Sequence, residues 1–199
     1  MINSTFFDNS SGSLGGAVSS LGTLTIINST FATNQGSSGS AIATGNANVT
    51  LYNNVFADNV AAGPPGALNL PGSTSSTNVF FNNTAGGTPD DQTGYGTSNF
   101  IVATAEPLGP LADDGGPTQT MMPVAGGDAI CAGDVALVPD GVTTDQRGFP
   151  RTSPGNCVDA GSVQHNTLVA VPTLSTPLFL LLAASLALFG FRRLRYVTG

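Results

Sequence analysis

The chain has 199 residues, of which 12 are acidic and 5 are basic, so its formal net charge is −7 at pH 7. It contains no lysine, and the first 146 residues carry no basic side chain. Because nucleic-acid-binding proteins neutralise phosphates with Lys and Arg, this composition excludes nucleic acid as a partner. Regularly spaced Phe, Val, Ile and Leu supply an apolar face, which argues against intrinsic disorder.

The first part of the chain repeats one seven-residue phrase four times. The phrases are NSTFFDN at 3–9, NSTFATN at 28–34, NNVFADN at 53–59 and TNVFFNN at 77–83. Aligning the phrases gives two columns of equivalent residues, and successive members of each column are 25, 25 and 24 residues apart. The phenylalanine column is Phe6, Phe31, Phe56 and Phe80, and the asparagine column is Asn9, Asn34, Asn59 and Asn83. A fixed period of roughly 20 to 50 residues is the signature of a solenoid.

Each repeat unit contains about three short β-strand patterns separated by Asn and Gly turns. An alternating run such as TLTII (23–27) precedes the phenylalanine phrase, and a small-residue phrase such as GSAI (39–42) follows it. Helical solenoids need windows of good helix formers with apolar residues at helical spacing, and these units lack them. We therefore predict an all-β fold, a right-handed parallel β-helix with coils of about 25 residues, over residues 1–99.

In such a stack, each position of one coil lies about 4.8 Å from its counterpart in the next coil. The phenylalanine column then forms an internal aromatic stack, and the asparagine column forms a ladder at a corner. We expect three small residues to occupy a tight part of the cross-section, namely Ala17, Ala41 and Ala67. Stacking lets every coil bury an apolar face that no coil could bury alone.

The repeat also carries a family resemblance. The pairing of a Phe-x-x-Asn phrase with GGAV (15–18) or GSAI (39–42) resembles the repeats of chlamydial polymorphic outer membrane proteins and related bacterial β-helices. The resemblance covers roughly residues 1–84 and implies the same fold. It does not imply any particular activity.

The period ends near residue 85, where the composition shifts to Pro, Asp and Gly. The segment 100–165 contains LGPLADDGGPTQT (108–120), AICAG (129–133), TDQRGFPR (144–151) and CVDAGSVQ (157–164). It resembles the C-terminal module of the choice-of-anchor Q family, bacterial surface proteins with a β-helix and a membrane-anchoring tail. Cys131 departs from the acidic residue expected in that family's phrase. We expect this segment to form the last coil and a cap, because an open sheet edge invites aggregation.

The predicted cap contains the only two cysteines, Cys131 and Cys157. Outside the cytoplasm we expect them to form a structural disulfide, with two buried free thiols as the alternative. One histidine and the lack of a Cys-x-x-Cys motif predict no metal site, and nothing indicates a cofactor. We expect Asp145, Arg147 and Asp159 to form a structural ion pair, the alternative being a functional role.

The C-terminal tail combines an apolar run with an arginine cluster. The run from Leu178 to Phe191 has 14 residues and would span about 21 Å as a helix. Counting from Leu174 gives 18 residues and about 27 Å, close to the ~30 Å of a bilayer's hydrocarbon core. We predict a transmembrane helix and cytoplasmic tail over 178–199. The cytoplasmic side is marked by Arg192, Arg193 and Arg195, which places the rod outside.

A linker and a short motif precede this helix, over residues 166–177. The arrangement resembles the IPTL-CTERM sorting signal. Its leading motif corresponds to Val171, Pro172, Thr173, Leu174 and Ser175. The family continues with Glu-Trp, where this chain has Thr176 and Pro177. The resemblance implies export and a sorting or processing enzyme as a partner.

A catalytic function would need clustered carboxylates, because many β-helix proteins cleave acidic polysaccharides. The best candidate in the coils is the column Asp8, Thr33, Asp58 and Asn82. Asp8 and Asp58 would lie about 10 Å apart, near the upper limit for an inverting pair. We interpret this column as turn residues that face water, since no basic residue accompanies it. Asp113 and Asp114 offer a Ca²⁺ site, but an ADDGG turn is the simpler interpretation.

The sequence thus predicts a non-catalytic, membrane-anchored bacterial surface β-helix with a structural or adhesive role. Its partners would be the membrane, a sorting enzyme and a surface ligand such as a carbohydrate or a matrix protein. The alternative is a carbohydrate-binding or polysaccharide-cleaving β-helix whose active coils lie upstream or are missing. Met1 leads directly into a repeat without a basic or apolar leader, so we expect the C-terminal part of a longer protein.

Overall fold

The computed structural model describes residues 1–45, 48–91 and 100–165. Over these ranges the protein is an all-β solenoid of about four coils, and its single helical element is the short 3-10 helix Val135–Leu137. The predicted linker, sorting motif, transmembrane helix and arginine cluster, over 166–199, lie outside the described residues. In the part of the chain that is described, no helix has the length and apolar character needed to cross a membrane.

Equivalent strands of successive coils pair side by side into four sheets. The aromatic sheet contains β1 (Thr5–Phe7), β4 (Thr30–Ala32), β8 (Val55–Ala57), β12 (Val79–Phe81) and β15 (Ile101–Val102). The small-residue sheet contains β2 (Val18–Ser20), β6 (Ile42–Thr44) and β10 (Leu68–Asn69). The alternating sheet contains β3 (Leu24–Ile27), β7 (Val49–Tyr52) and β11 (Ser73–Ser76). The turn sheet contains β5 (Gln35–Gly36), β9 (Val60–Ala61), β13 (Thr84–Ala85) and β14 (Thr88–Pro89).

Chain order assigns these strands to coils. Coil 1 contains β1 and β2, coil 2 contains β3 to β6, coil 3 contains β7 to β10, and coil 4 contains β11 to β14. All pairings between coils are parallel in the described ranges, whereas β13 and β14 pair antiparallel within coil 4. Beyond the coils, β16 (Leu108–Ala112) and β17 (Thr120–Pro123) form an antiparallel hairpin.

The strand register follows the sequence repeat. Phe31 pairs with Phe6 of the preceding coil and with Phe56 of the following one. The prediction of an all-β, parallel-stranded solenoid is therefore confirmed. A full coil has four strands where the sequence predicted three. The additional strand, in the turn sheet, has only two residues per coil, which is too short for a two-residue alternation to be visible in the sequence.

The interior of the coils is one apolar cluster. It contains Ile26, Phe31, Ala41, Ile42, Val49, Leu51, Phe56, Ala67, Leu68, Leu70 and Phe80. Ala41 and Ala67 are almost fully buried, and Ala17 packs partly buried against the same cluster. Since the small-residue and aromatic sheets face each other across this interior, alanine leaves room for the phenylalanine rings.

The outward face of the aromatic sheet is buried as well. Thr30, Phe31 and Ala32 of β4 are all buried, although neighbouring side chains in a strand point to opposite faces. A second apolar cluster covers this outer face, containing Ala32, Val55, Ala57, Val79, Ala103, Leu108, Met121, Ala129 and Ala160. Two members, Ala129 and Ala160, lie in residues 129–165, which we call the flanking block.

The flanking block lies along the side of the coils. Ser162 bonds to Thr5 in coil 1 and to Thr30 in coil 2, and Asn53 in coil 3 bonds to Asp134. Ile101 and Val102 extend the aromatic sheet beyond coil 4, and the flanking block contributes Ala129 and Ala160 to the cover of its outer face. The outer face of the aromatic sheet needs cover as well as the open end of the stack.

Candidate functional site

The phenylalanine column forms a continuous stack inside the coils. Ring centroids lie 4.6 Å apart for Phe6 and Phe31, 5.2 Å for Phe31 and Phe56, and 5.1 Å for Phe56 and Phe80. Adjacent rings are tilted by only 6° to 17°. Phe100 extends the column edge-on, 6.4 Å from Phe80. The sequence repeat did not identify Phe100, because no Phe-x-x-Asn phrase surrounds it.

The asparagine column forms a buried hydrogen-bonded ladder. The backbone N–H and the side-chain Nδ2 of Asn34 both donate to Oδ1 of Asn59, at 3.0 and 2.9 Å. Nδ2 of Asn34 also donates to the backbone oxygen of Phe6, at 3.0 Å. Asn59 repeats this pattern with Asn83 and Phe31. Each amide thus binds its own coil to both neighbours, which is a structural role.

The ladder ends on a carboxylate. The backbone N–H and Nδ2 of Asn83 both donate to Oδ1 of Asp91, at 2.8 Å each. An ionised carboxylate only accepts hydrogen bonds, which suits a terminal position where two donors converge. Asp91 follows Asn83 by eight residues instead of one coil. The hairpin of β13 and β14 brings it back, and the 24- to 25-residue period gave no signal for it.

A second ladder runs beside the first. The backbone N–H of Ser29 donates to Oδ1 of Asn54, and that of Asn54 donates to Oδ1 of Asn78, at 2.9 Å in both cases. Nδ2 of Asn54 also donates to the backbone oxygen of Ile26. This ladder was not predicted, although Ser29, Asn54 and Asn78 hold the second position of their phrases at the same spacing.

The candidate catalytic column occupies a turn with a left-handed backbone. The φ angles of Asp8, Thr33, Asp58 and Asn82 lie between 50° and 56°. Asn and Asp tolerate this conformation because their short polar side chains bond locally. Nδ2 of Asn82 donates to Oδ1 of Asp58 at 2.6 Å, which links coils 3 and 4. This geometry supports the interpretation of the column as turn residues.

Glu106 brings a second carboxyl group to Asp58. Partial burial raises the pKa of Glu106 to about 7, and the charge of Asp58 and a hydrogen bond to it add to the rise. The backbone N–H of Leu108, which donates to Oε1 at 3.2 Å, opposes it. The sequence did not predict this pair, because only the fold of the segment after β15 brings Glu106 to coil 3.

The two cysteines are brought together. Cys131 and Cys157 form a disulfide that links the two ends of the flanking block. The Asp159 carboxylate lies within 4.8 Å of both sulfur atoms. A metal site of these three residues would need free thiolates, and the disulfide uses both sulfurs. Oδ1 of Asp159 instead accepts from the backbone N–H of Cys131 at 2.8 Å, and Oδ2 accepts from that of His165.

The predicted ion-pair group is brought together only in part. Arg147 Nη2 lies 2.8 Å from Asp145 Oδ2, and its Nε donates to the same oxygen at 3.1 Å. The Arg147 guanidinium also stacks over the Phe149 ring, 4.8 Å from the ring centroid. The Asp159 side chain bonds to backbone N–H groups, and burial raises its pKa. The sequence analysis did not single out Arg151, which is fully buried.

The acidic pair Asp113 and Asp114 lies in a turn. Oδ1 of Asp113 accepts from the backbone N–H of Gly115 at 3.3 Å, and Oδ2 of Asp114 accepts from Thr120 Oγ1 at 3.0 Å. Gly115 and Gly116 have φ angles of 89° and 95°, which glycine adopts without strain. These contacts explain the ADDGG phrase as a turn.

An open surface groove of about 280 Å³ crosses coils 1 to 3 beside the turn sheet. Its lining consists of Ser10, Ser11, Gly12, Gln35, Gly36, Ser37, Val60 and Ala62. None of these residues has a side chain that exchanges a proton near neutral pH. The groove can offer hydroxyl, amide and apolar contacts to a ligand, but its lining supplies no general acid or base.

The fold and these contacts define the protein as a parallel β-solenoid stabilised by side-chain ladders. No family model, curated protein or solved structure matches the chain in the comparisons with known proteins.

Proposed function

We propose that the protein is a non-catalytic surface protein of a bacterial cell envelope, in which a rigid β-helical rod is tethered to a membrane by the C-terminal tail. The observation that carries this proposal is the order of parts in the chain: a disulfide-bonded solenoid comes first, then an apolar run, then an arginine cluster. Disulfides persist in oxidising compartments, which supports export. Arginines that follow an apolar run stay on the cytoplasmic side, which supports an external rod.

The finer features of the fold are part of the proposal. Right-handed winding is supported by the strong preference of parallel strand crossovers for that hand. One transmembrane helix at 178–199 is supported by the length and apolar character of its sequence. A capping role for the module at 100–165 is supported by the pairing of Ile101 and Val102 with β12, which covers that edge of the aromatic sheet.

The family assignments are also proposed on sequence resemblance. Residues 1–84 resemble repeats of chlamydial polymorphic outer membrane proteins, and 100–164 resemble the choice-of-anchor Q module. The motif from Val171 to Ser175 resembles the IPTL-CTERM signal, so a sorting or processing enzyme is a proposed partner.

A structural or adhesive role is supported by the surface of the coils. The coils carry no Lys, Arg or His, and the groove beside the turn sheet offers only neutral groups. Neutral hydroxyl and amide groups suit a carbohydrate or a matrix protein, which would be bound without being cleaved. The asparagine ladders and the phenylalanine stack would keep such a surface rigid.

The second candidate function is carbohydrate binding or polysaccharide cleavage, either in active coils that lie upstream or are missing, as the sequence predicted, or at a carboxyl pair of the described chain. Glu106 beside Asp58 favours it, since a general acid in hydrolysis needs a raised pKa, and burial raises the pKa of Glu106 to about 7. The hydrogen bond between the two side chains disfavours it, because glycosidase carboxyl groups stand about 5 Å or more apart. Hydrolysis of acidic polysaccharides by the purified chain, lost on Glu106→Gln, would favour this second function.

Localisation of the full chain in its native cells tests the main proposal. We expect the protein in the envelope fraction, released by detergent and retained at high salt. As a matched pair, Leu182→Arg places a charge in the apolar run, and Leu168→Arg places the same charge in the linker. We expect only Leu182→Arg to release the protein from the membrane, because a charge at a helix centre opposes insertion. Soluble wild-type protein in the cytoplasm would contradict the proposal.

A further inference from the structure

An asparagine repeats at one turn beside the seam between the coils and the flanking block. Asn3, Asn28 and Asn53 occupy equivalent left-handed turn positions in coils 1, 2 and 3, with φ angles of 50°, 49° and 56°. In coil 1, Nδ2 of Asn3 donates to the backbone oxygen of Thr144 at 2.7 Å. In coil 3, Nδ2 of Asn53 donates to the backbone oxygen of Asp134 at 3.0 Å, and Oδ1 accepts from the backbone N–H of Asp134 at 2.9 Å.

Asn28, in the middle coil, differs from both neighbours. It is fully buried, and neither Nδ2 nor Oδ1 has a protein partner. Buried amides in folded proteins are nearly always hydrogen-bonded to protein or to ordered water. The equivalent residues Asn3 and Asn53 donate directly to backbone oxygens of the flanking block. Asn28 makes no such direct bond to the protein.

Arg151 of the flanking block is connected to segments that contact coils 1 and 3. Its backbone N–H donates to the backbone oxygen of Thr143. The backbone oxygen of the next residue, Thr144, accepts from Nδ2 of Asn3 in coil 1. Its Nη2 donates to Gly161 at 2.7 Å, and the backbone N–H of Gly161 donates to Asn53 of coil 3. The residues bonded to or next to the partners of Arg151 thus contact coil 1 on one side and coil 3 on the other. From this we place Arg151 opposite coil 2.

The Arg151 guanidinium is fully buried and incompletely bonded. Nη2 donates to the backbone oxygens of Asp159 and Gly161, whereas Nε and Nη1 have no protein partner. Burial lowers its pKa to about 10, so it remains charged at neutral pH. Among the described residues, five of the seven buried side-chain atoms without a partner belong to Asn3, Asn28 and Arg151.

We propose that ordered water molecules occupy the seam and bridge Arg151 to Asn28 and Asn3. The unpartnered atoms include donors on Arg151 and on Asn28 Nδ2, and acceptors on Asn28 Oδ1 and Asn3 Oδ1. An anion could accept from the donors but could not donate to the acceptors, whereas water does both. A buried water needs two to four polar partners, and these residues supply them. The seam is therefore a buried water-binding site that attaches the flanking block to coil 2.

A crystal structure of the full chain at high resolution tests this site directly. We expect at least one water within hydrogen-bond distance of Arg151 Nε or Nη1 and of Asn28 or Asn3. A direct contact between Asn28 and Arg151, or an empty seam, would overturn the proposal. An anomalous-scattering peak from a crystal grown in bromide would identify an anion in place of water, and would overturn it as well.

A pair of matched variants tests the same site in solution. Asn28→Asp puts a carboxylate on the water-filled side of Arg151, so we expect the melting temperature to rise by about 2–4 °C. The rise should disappear when Arg151→Gln is also present. Asn53→Asp, in the same turn one coil away, loses its bond to the oxygen of Asp134, so its melting temperature should fall. Equal losses for Asn28→Asp and Asn53→Asp would contradict a polar, hydrated contact between Asn28 and Arg151.

Discussion

Asp91 accepts both the backbone N–H and the side-chain amide of Asn83 on one oxygen atom, at 2.8 Å each. Through this contact a single carboxylate ends the ladder that links coils 1 to 4. The ladder therefore ends on an acceptor that lies outside the repeat, while the Asn83 amide keeps its bond to the backbone oxygen of Phe56.

Removing that acceptor should destabilise the protein. Asp91→Ala leaves the backbone N–H of Asn83 and one Nδ2 hydrogen without an acceptor, while Nδ2 still donates to the backbone oxygen of Phe56. We therefore expect the free energy of unfolding to fall by about 1–3 kcal/mol. Asp91→Asn keeps an Oδ1 acceptor and should lose less. Urea denaturation followed by circular dichroism measures both, with Asp140→Ala at an exposed carboxylate as the control. If Asp91→Ala behaved like Asp140→Ala, the carboxylate would have no role in ending the ladder.

The phenylalanine stack should dominate the stability of the coils. Phe56 is fully buried between two rings, so Phe56→Ala should lower the free energy of unfolding by about 3–5 kcal/mol. Phe7 is 37% exposed, and Phe7→Ala should change it by only about 0.5 kcal/mol. Chemical denaturation of the two variants side by side makes the comparison. Similar losses for both would contradict a dominant role of the buried stack in the stability of the coils.

Stability should fall as pH rises through neutrality. Partial burial and the neighbouring Asp58 raise the pKa of Glu106 to about 7 from an ordinary value of 4.5. Between these values the folded protein holds a proton that the unfolded chain has released. Glu106 therefore contributes stability fully below about pH 4.5, and this stability is lost as pH rises through about 7. Because much of Glu106 is exposed, solvent screening keeps the effect small.

Melting temperatures measured between pH 4 and 8 test this dependence. Glu106→Gln should flatten the decline, and Asp58→Asn should flatten it in part by removing the repelling charge. The residual slope would come from Asp159, whose pKa is also raised by burial. A wild-type melting temperature that rises steadily from pH 5 to pH 7 would contradict the assignment.

The disulfide should stabilise the flanking block. The bond between Cys131 and Cys157 closes a loop with a sequence separation of 26 residues. The chain-entropy treatment gives about 3.5 kcal/mol for a loop of this size. Melting with and without dithiothreitol should show this loss, whereas Cys131→Ala/Cys157→Ala should be unaffected by the reductant. Full reduction by mass with an unchanged melting temperature would count against the prediction.

Columns that repeat in register could be read from the sequence. Each of the phenylalanine and asparagine columns has four members, so the alignment of any one coil is checked by the other three. The same reasoning gave the turn column of Asp8 and Asp58, whose φ angles are left-handed. These φ angles agree with the interpretation of the column as turn residues.

Contacts outside the period could not be predicted. Asp91 reaches Asn83 because a hairpin reverses the chain, and Glu106 reaches Asp58 because the segment after β15 returns to coil 3. The burial of Arg151 depends on where the flanking block lies, and a local sequence pattern does not specify that long-range packing. The second ladder, by contrast, was present in the spacing of Ser29, Asn54 and Asn78 and could have been found.

The central claim, an external rod tethered to a membrane, is tested most directly by protease accessibility in native cells. Intact cells are treated with proteinase K and probed with an antibody raised against residues 1–84. We expect the antibody signal to be lost while a cytoplasmic marker stays intact, and the untreated protein to be found in the envelope fraction. A coil signal that survives in intact cells and disappears only after lysis would contradict the account.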